Sequence, residues 1–151
     1  MPGSETRAQL PSAAPPVQRP NWRAYLWAAP CTACGLLLAA PLLLAGASLW
    51  RRDGILVLSV AGKSRQWPRL ARRLPFVAIT FGHLVIGANP AVLRRWRAHE
   101  REHVRQYERW GALFFLAYPA ASLWQLLRGY PPYASNHFEV QARAAEASAS
   151  L

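Results

Sequence analysis

Acidic residues are scarce in this sequence of 151 residues, and lysine is nearly missing. Seven Asp and Glu side chains stand against eighteen basic ones, of which Lys63 is the single lysine, so the formal net charge is +11 at pH 7. Such an excess of arginine favours an anionic partner, and the two commonest are nucleic acid and the acidic inner face of a membrane. Because the sequence contains no recognisable nucleic-acid-binding module, we expect membrane lipids and no nucleic acid as partners.

Cysteine is scarce as well, and the two that occur lie inside an apolar segment. Cys31 and Cys34 form a Cys-x-x-Cys pattern. Two thiolates in hydrocarbon would be uncompensated charges, so the pair does not predict a zinc site, and we interpret both as small packing residues. The rest of the chain has no cysteine for a disulfide, which fits a cytoplasmic location.

One long apolar block predicts a transmembrane helix. Residues 28–49 contain no charge and would extend about 33 Å as a helix, which is enough to cross a bilayer. Trp27 and Trp50 bracket the block, as interfacial aromatic residues do. We therefore predict a transmembrane helix over residues 27–50. A secretory signal peptide is the alternative, because Ala45-Gly46-Ala47 resembles a cleavage site.

The distribution of basic residues around the block predicts its orientation. The residues before it include Arg7, Arg19 and Arg23, whereas those that follow closely include Arg51, Arg52, Lys63, Arg65 and Arg69. By the positive-inside rule, the C-terminal part lies in the cytoplasm, and the protein is anchored in the inner membrane by a single pass.

Outside this block, the sequence predicts an α+β fold. Residues 1–26 are rich in Pro, Ala and Ser and predict a disordered tail. Residues 51–88 combine strands with a basic segment expected on the membrane surface. Within them, Ile55 to Val60 predicts one strand, and two further β-rich runs around Phe81-Gly82-His83 predict a hairpin or a bent edge strand.

Residues 89–147 predict a region of helices. Asn89-Pro90 is typical of a helix start and Gly111 of a helix end, so one helix would run to Trp110. The apolar segment 112–127 is short for a helix that crosses a bilayer, and it includes Pro119. We therefore predict a helix that packs on the core or lies in the membrane interface.

A last helix starts near Asn136 and carries Glu139. The apolar connector before it could bring it back antiparallel to the first helix of this region. Phe138, Val140 and Ala142 would give it a face to bury.

The first helix of this region contains His-Glu-Arg-Glu-His at residues 99–103. At 100° per residue, His99 and His103 fall on its apolar side, and the arginines fall on the opposite side. Two imidazoles one turn apart can both bind one Zn²⁺, and Glu100 then lies beside the open coordination position as a general base. The alternative is a charged surface helix with two core histidines.

A catalytic zinc site needs a third protein ligand. No third His follows His103 at a short spacing, so the choice falls among the downstream residues Glu108, His137, Glu139 and Glu146. Glu108 points away from the two histidines around the helix. Glu139 is our predicted third ligand, with His137 as its rival.

The pattern His99-Glu100-Arg101-Glu102-His103, an apolar connector and then Glu139-Val-Gln-Ala resembles the gluzincin metallopeptidases. It is closest in type to the membrane-embedded ones, and the stretch also resembles a group of small bacterial membrane proteins. The resemblance covers residues 89 to 143. It implies that His99, His103 and Glu139 bind zinc and that Glu100 is the catalytic base.

Arg143 departs from the gluzincin pattern, which has an aspartate there. That aspartate orients a ligand histidine, and an arginine cannot accept a hydrogen bond. Asn136 or a backbone carbonyl would have to do this work, or activity is weak or lost.

The sequence therefore leads to two hypotheses. The first is a membrane-anchored zinc-dependent metallopeptidase that hydrolyses a peptide or protein substrate with zinc-activated water. The alternative is a non-catalytic small membrane protein that binds zinc or no metal at all.

Overall fold

The computed structural model describes residues 21–61 and 77–149, and these have the predicted α+β architecture. The predicted membrane-surface segment and residues 1–20 of the predicted tail lie outside the described residues. Residues 22–26, which the sequence also assigned to the tail, are helical instead.

The apolar block forms helix α1, Trp22–Leu44, which begins and ends earlier than predicted. Asn21 caps its first turn by accepting a hydrogen bond of 3.2 Å from the Arg23 N–H. The chain turns just after the helix at Gly46, whose φ of 97° is readily adopted only by glycine. The predicted bounds 27–50 are thus wrong at both ends, because the helix starts before Arg23, outside the uncharged block. At the other end, the uncharged block continues through Leu49 into the strand that follows.

Four strands form one mixed sheet: β1 (Ser48–Arg52), β2 (Ile55–Ser59), β3 (Ala78–Phe81) and β4 (Leu84–Gly87). Their order is β1-β2-β4-β3, with β2 and β4 parallel and the other two pairs antiparallel. The predicted hairpin is confirmed, because Phe81 pairs with Leu84 across Gly82-His83. Strand β3 therefore lies at the edge of the sheet.

The sheet lies between two helical layers. Successive residues of a strand point to opposite faces, so each strand packs against both layers. Leu58 and Leu84 face α1 and pack with its Ala39. On the other face, Val85 packs with Leu93 and Val104, which belong to the helices that follow the sheet.

These helices are α2 (Pro90–Arg95) and α3 (Arg97–Trp110), so the predicted continuous helix is interrupted at Trp96. The predicted ends are confirmed: Asn89 Oδ1 accepts a hydrogen bond of 2.9 Å from the Val92 N–H, and Gly111 ends α3 with a φ of 54°. The break at Trp96 has no sequence signal, since neither proline nor glycine stands there.

A short 3₁₀ turn leads into α4 (Phe114–Leu127), and a loop then leads into α5 (His137–Ala149). Helix α5 returns antiparallel to α3, because Trp110 packs edge-on against Phe138 while His99 approaches Glu146. Phe138 and Ala142 are buried as predicted. Val140 is 49% exposed, so its predicted burial is wrong; it lies about 100° around the helix from Glu139.

Two helical segments, Trp22–Leu44 and Arg97–Leu127, are long and apolar enough to cross a membrane by length and composition. Only 22% and 11% of their most apolar windows are buried within the described residues. The exposed large side chains include Leu26, Leu37, Leu38, Leu116, Leu123, Trp124 and Leu127. Surface of this kind and extent is typical of contact with lipid or another protein.

Helix α1 contacts the sheet region near both of its ends. Tyr25, near its start, donates a hydrogen bond of 2.6 Å to the Gly54 carbonyl. Leu43, near its end, packs against the cluster that contains Leu58. A bilayer crossed by α1 would therefore also enclose part of the sheet.

Candidate metal centre

Two histidines of α3 and one glutamate of α5 meet in the interior. His103 Nε2 lies 3.2 Å from His99 Nε2 and 3.3 Å from Glu139 Oε1, and His99 Nε2 lies 3.4 Å from Glu139 Oε2. All three residues are buried, and they form a group that could hold a metal ion. The structure thus brings together the three predicted ligands.

The spacing of these atoms suits a tetrahedral metal ion. Ligand atoms about 2.0–2.1 Å from a tetrahedral centre are about 3.3–3.4 Å apart. The two Nε2 atoms have a similar separation, and each Nε2 lies at a similar distance from one of the two carboxylate oxygens of Glu139. Glu139 Oε2 is buried without a hydrogen-bond partner among the described residues. A buried carboxylate oxygen is rarely left unpaired, so the residues fit a cation between them.

The position of Glu139 follows from how α5 begins. Asn136 is fully buried, and its Oδ1 accepts a hydrogen bond of 2.9 Å from the Phe138 N–H. Its Nδ2 donates to the Tyr118 carbonyl at 3.0 Å and to Ser122 Oγ at 2.7 Å, which ties α5 to α4. Asn136 therefore fixes the first turn of α5 and does not orient a ligand histidine as the sequence allowed.

Gln106 orients His103, a role that the sequence interpretation missed. Its Oε1 lies 2.8 Å from His103 Nδ1, and its Nε2 donates to the Phe138 carbonyl and to Gln141 Oε1 at 3.0 and 3.1 Å. Gln106 is 1% exposed, so these bonds use the polar atoms of a side chain that solvent does not reach. Helical periodicity could have indicated this role, because it places Gln106 on the same side of the helix as both histidines.

Glu100 is buried beside the ligands without belonging to the group of three. Thr80 Oγ1 donates a hydrogen bond of 2.7 Å to Glu100 Oε2. Thr80 belongs to the edge strand β3, so this bond joins the sheet to the helix that carries the histidines.

The other downstream residues lie outside the group of ligands. His137 is exposed and bonds Gln141, and Glu108 bonds His83 Nε2 at 3.0 Å. Glu146 Oε2 lies 3.8 Å from His99 Nδ1, on the side of the imidazole ring opposite Nε2. Arg143 donates a hydrogen bond to the Ala134 carbonyl in the loop before α5.

A cavity of about 520 Å³ opens onto the three ligands and Glu100. Its walls are strand β3 and the aromatic residues of α4 and the following loop, namely Phe114, Phe115, Tyr118 and Tyr133. The cavity is large enough for several side chains of a substrate and is mostly apolar.

Two pKa shifts describe the charge at this site. Burial alone would raise the pKa of Glu139, but the nearby imidazoles of His103 and His99 and the hydroxyl of Tyr118 outweigh it, so its pKa lies well below the usual range. Burial and the nearby carboxylate of Glu139 raise the pKa of Tyr133 to about 12. The site thus keeps an ionised carboxylate, as a metal ligand requires, next to a protonated phenol.

No family model, no curated protein and no solved structure matches the chain.

Proposed function

We propose that this chain is a membrane-associated, zinc-dependent peptidase. The observation that carries the proposal is the buried group of His99, His103 and Glu139, whose imidazole nitrogens and carboxylate oxygens approach one another to 3.2–3.4 Å. Glu100 lies beside this group at the wall of the same cavity. Two imidazoles, one carboxylate and a separate acid are the groups that metal-assisted peptide hydrolysis needs.

Zinc is the metal that this donor set favours. Imidazole nitrogen together with a carboxylate oxygen in a tetrahedral arrangement suits Zn²⁺ better than Mg²⁺ or Ca²⁺, which prefer more oxygen ligands. His99, His103 and Glu139 would hold it and leave a position open toward the cavity. Bound there, zinc would supply a Lewis acid that polarises the substrate carbonyl and lowers the pKa of water.

Glu100 would transfer the proton. As general base it takes a proton from the attacking water while the water oxygen forms a bond to the carbonyl carbon. It then gives that proton to the amide nitrogen as the carbon–nitrogen bond breaks. The hydroxyl of Thr80, bonded to Oε2, would hold the carboxylate in one orientation for both steps.

Strand β3 would bind the peptide. The Ala88 N–H bonds the Val77 carbonyl, and the register places Ile79 and Phe81 in the pairs that bond β4. The backbone groups of Ala78 and Thr80 therefore point away from the sheet, where among the described strands nothing pairs with them. An extended peptide can add there as a further strand.

The surroundings of the cavity favour an apolar substrate segment. Its walls include Ile79, Phe81 and Phe115, and the neighbouring helix α4 exposes Leu116 and Trp124. A site that opens among exposed apolar side chains would act on segments in or next to a membrane.

Metal analysis of the purified full-length chain in detergent tests the proposal first. The wild type is expected to hold about one zinc per chain, and Glu139→Ala to lose most of it. His137→Ala is the matched control, because this exposed rival ligand lies outside the group and should leave zinc content unchanged. A wild type without zinc would overturn the proposal.

Turnover is tested with Glu100→Gln, which keeps the shape of the side chain and removes the base. We expect unchanged zinc content and cleavage of apolar peptides lower by at least about 100-fold. If the wild type binds zinc and cleaves none of the peptides, the non-catalytic alternative replaces the peptidase.

A further inference from the structure

His99 has one ring nitrogen whose hydrogen bonding is incomplete. Its side chain is 5% exposed, and its Nε2 points at the other two ligands. Its Nδ1 is buried and makes no hydrogen bond among the described residues. A neutral imidazole that binds a metal through Nε2 carries its proton on Nδ1, so this atom is a donor that needs an acceptor.

The second ligand histidine shows what such an acceptor does in this fold. His103 Nδ1 is bonded to Gln106 Oε1 at 2.8 Å, and Gln106 is itself held by two further bonds to α5. The ring of His103 is thereby held at Nδ1 by Gln106, while its Nε2 faces His99 and Glu139. The ring of His99 packs edge-on against Trp96 and His103, at centroid distances of 5.3 and 4.9 Å, and neither contact supplies an acceptor for Nδ1.

We propose that Glu146 is the positioning residue for His99, accepting a hydrogen bond from its Nδ1–H. This inference rests on the metal centre of the proposed function. Glu146 Oε2 is 3.8 Å from His99 Nδ1, and its side chain is 30% exposed. A turn about its side-chain bonds that moves the carboxylate oxygen by about 1 Å brings the pair to hydrogen-bond length.

The position of Glu146 on α5 explains how it reaches His99. Glu146 lies seven positions after Glu139, so at 100° per residue the two lie on one side of the helix, two turns apart. Arg143 lies between them, and its guanidinium turns away to the Ala134 carbonyl. The acceptor for His99 thus comes one turn later than residue 143, on a glutamate.

Zinc affinity tests this role of Glu146. It is measured on the full-length chain by competition with a chromophoric chelator. Glu146→Ala is expected to weaken zinc binding about 10- to 100-fold, the range found when an outer partner of a ligand histidine is lost. Glu146→Gln retains an acceptor oxygen and should lose less. Glu102→Ala is the control, because it removes the same charge from a residue that pairs with Arg105. Its zinc affinity should stay within twofold of wild type.

A second readout separates orientation from folding. In the zinc-loaded protein, the Nδ1–H proton of His99 should give a slowly exchanging NMR resonance that disappears in Glu146→Ala and persists in Glu146→Gln. Wild-type affinity and an unchanged resonance in Glu146→Ala would overturn the role of Glu146. Neither readout depends on peptide cleavage. A chain that binds zinc without cleaving peptides would refute the peptidase, and these two measurements would still decide whether Glu146 positions His99. A wild type that binds no zinc would overturn both.

Discussion

The phenol oxygen of Tyr118 donates a hydrogen bond of 2.7 Å to Oε1 of Glu139. Tyr118 comes from α4 and Glu139 from α5, so the bond fixes the third predicted ligand relative to the helix that forms one wall of the cavity. The same Oε1 atom lies 3.3 Å from His103 Nε2. The phenol therefore restricts how the carboxylate can turn toward a metal ion.

Tyr118→Phe removes that hydrogen bond and keeps the ring. We expect zinc affinity to fall about tenfold, because the carboxylate loses its outer partner. Competition titration measures the change. Tyr130→Phe is the matched control, since this exposed tyrosine lies outside the cavity lining; equal effects of the two variants would contradict the prediction.

Thr80→Val removes the hydroxyl that bonds Glu100 and leaves the shape of the side chain. We expect unchanged zinc content and a fall in peptide cleavage of roughly 10-fold or more, because a catalytic group that is no longer oriented acts less efficiently. Steady-state kinetics on an apolar peptide give the ratio. Thr80→Ser, which keeps the hydroxyl, should retain most of the activity, and a Ser variant as slow as Val would argue that the hydroxyl has no part.

Gln106→Leu should destabilise the fold and weaken metal binding together. It removes the side-chain donor of the Phe138 carbonyl and leaves His103 Nδ1 without its acceptor, and a buried unpaired group costs about 1–3 kcal/mol. Urea unfolding of the metal-free protein measures the first effect and chelator competition the second. Gln125→Leu on α4 is the control. Loss of zinc affinity without loss of stability would show that the bonds from Gln106 to α5 do not stabilise the fold.

Removing the metal should lower stability by an amount that depends on zinc concentration. A ligand that binds only the folded state stabilises it by about 2.7 kcal/mol at one hundred times its Kd. Thermal unfolding before and after treatment with a chelator, and after zinc is restored, measures this. The double variant His99→Ala/His103→Ala should be insensitive to zinc; a melting temperature that still rises with zinc would place the metal elsewhere.

Gly35→Leu tests the packing of α1 on the sheet. A Cβ atom at Gly35 would lie 2.5 Å from Phe81 Cβ, so a larger side chain must push the helix from β3 at a cost of about 1–3 kcal/mol. Thermal unfolding in detergent shows the loss. Ala40→Leu lies on the exposed side of α1 and should be neutral. If Gly35→Leu were equally neutral, the sheet and α1 would not form one unit.

Local sequence signals predicted much of the fold. Asn89 and Gly111 mark the ends of the helical segment because a cap and a left-handed glycine are local requirements. The hairpin at Gly82-His83 and the two buried histidines also follow from short-range patterns of period two and 3.6. Residues 48–50 were misassigned to a helix, because an apolar run does not by itself distinguish a helix from the strand after it.

The sequence by itself determined that His99, Glu100 and His103 share one side of a helix, since that depends only on helical periodicity. It also narrowed the third ligand to Glu139 with His137 as rival. Only the tertiary structure decided between them, because Asn136 ties the start of α5 to α4 and turns Glu139 inward while His137 stays exposed. Gln106 and Glu146 take their places around the three predicted ligands through the antiparallel packing of α5 on α3, which joins residues more than thirty positions apart. Tyr118 takes its place through the contact of α4 with α5, which joins residues 21 positions apart. Contacts at such separations leave no local pattern in the chain.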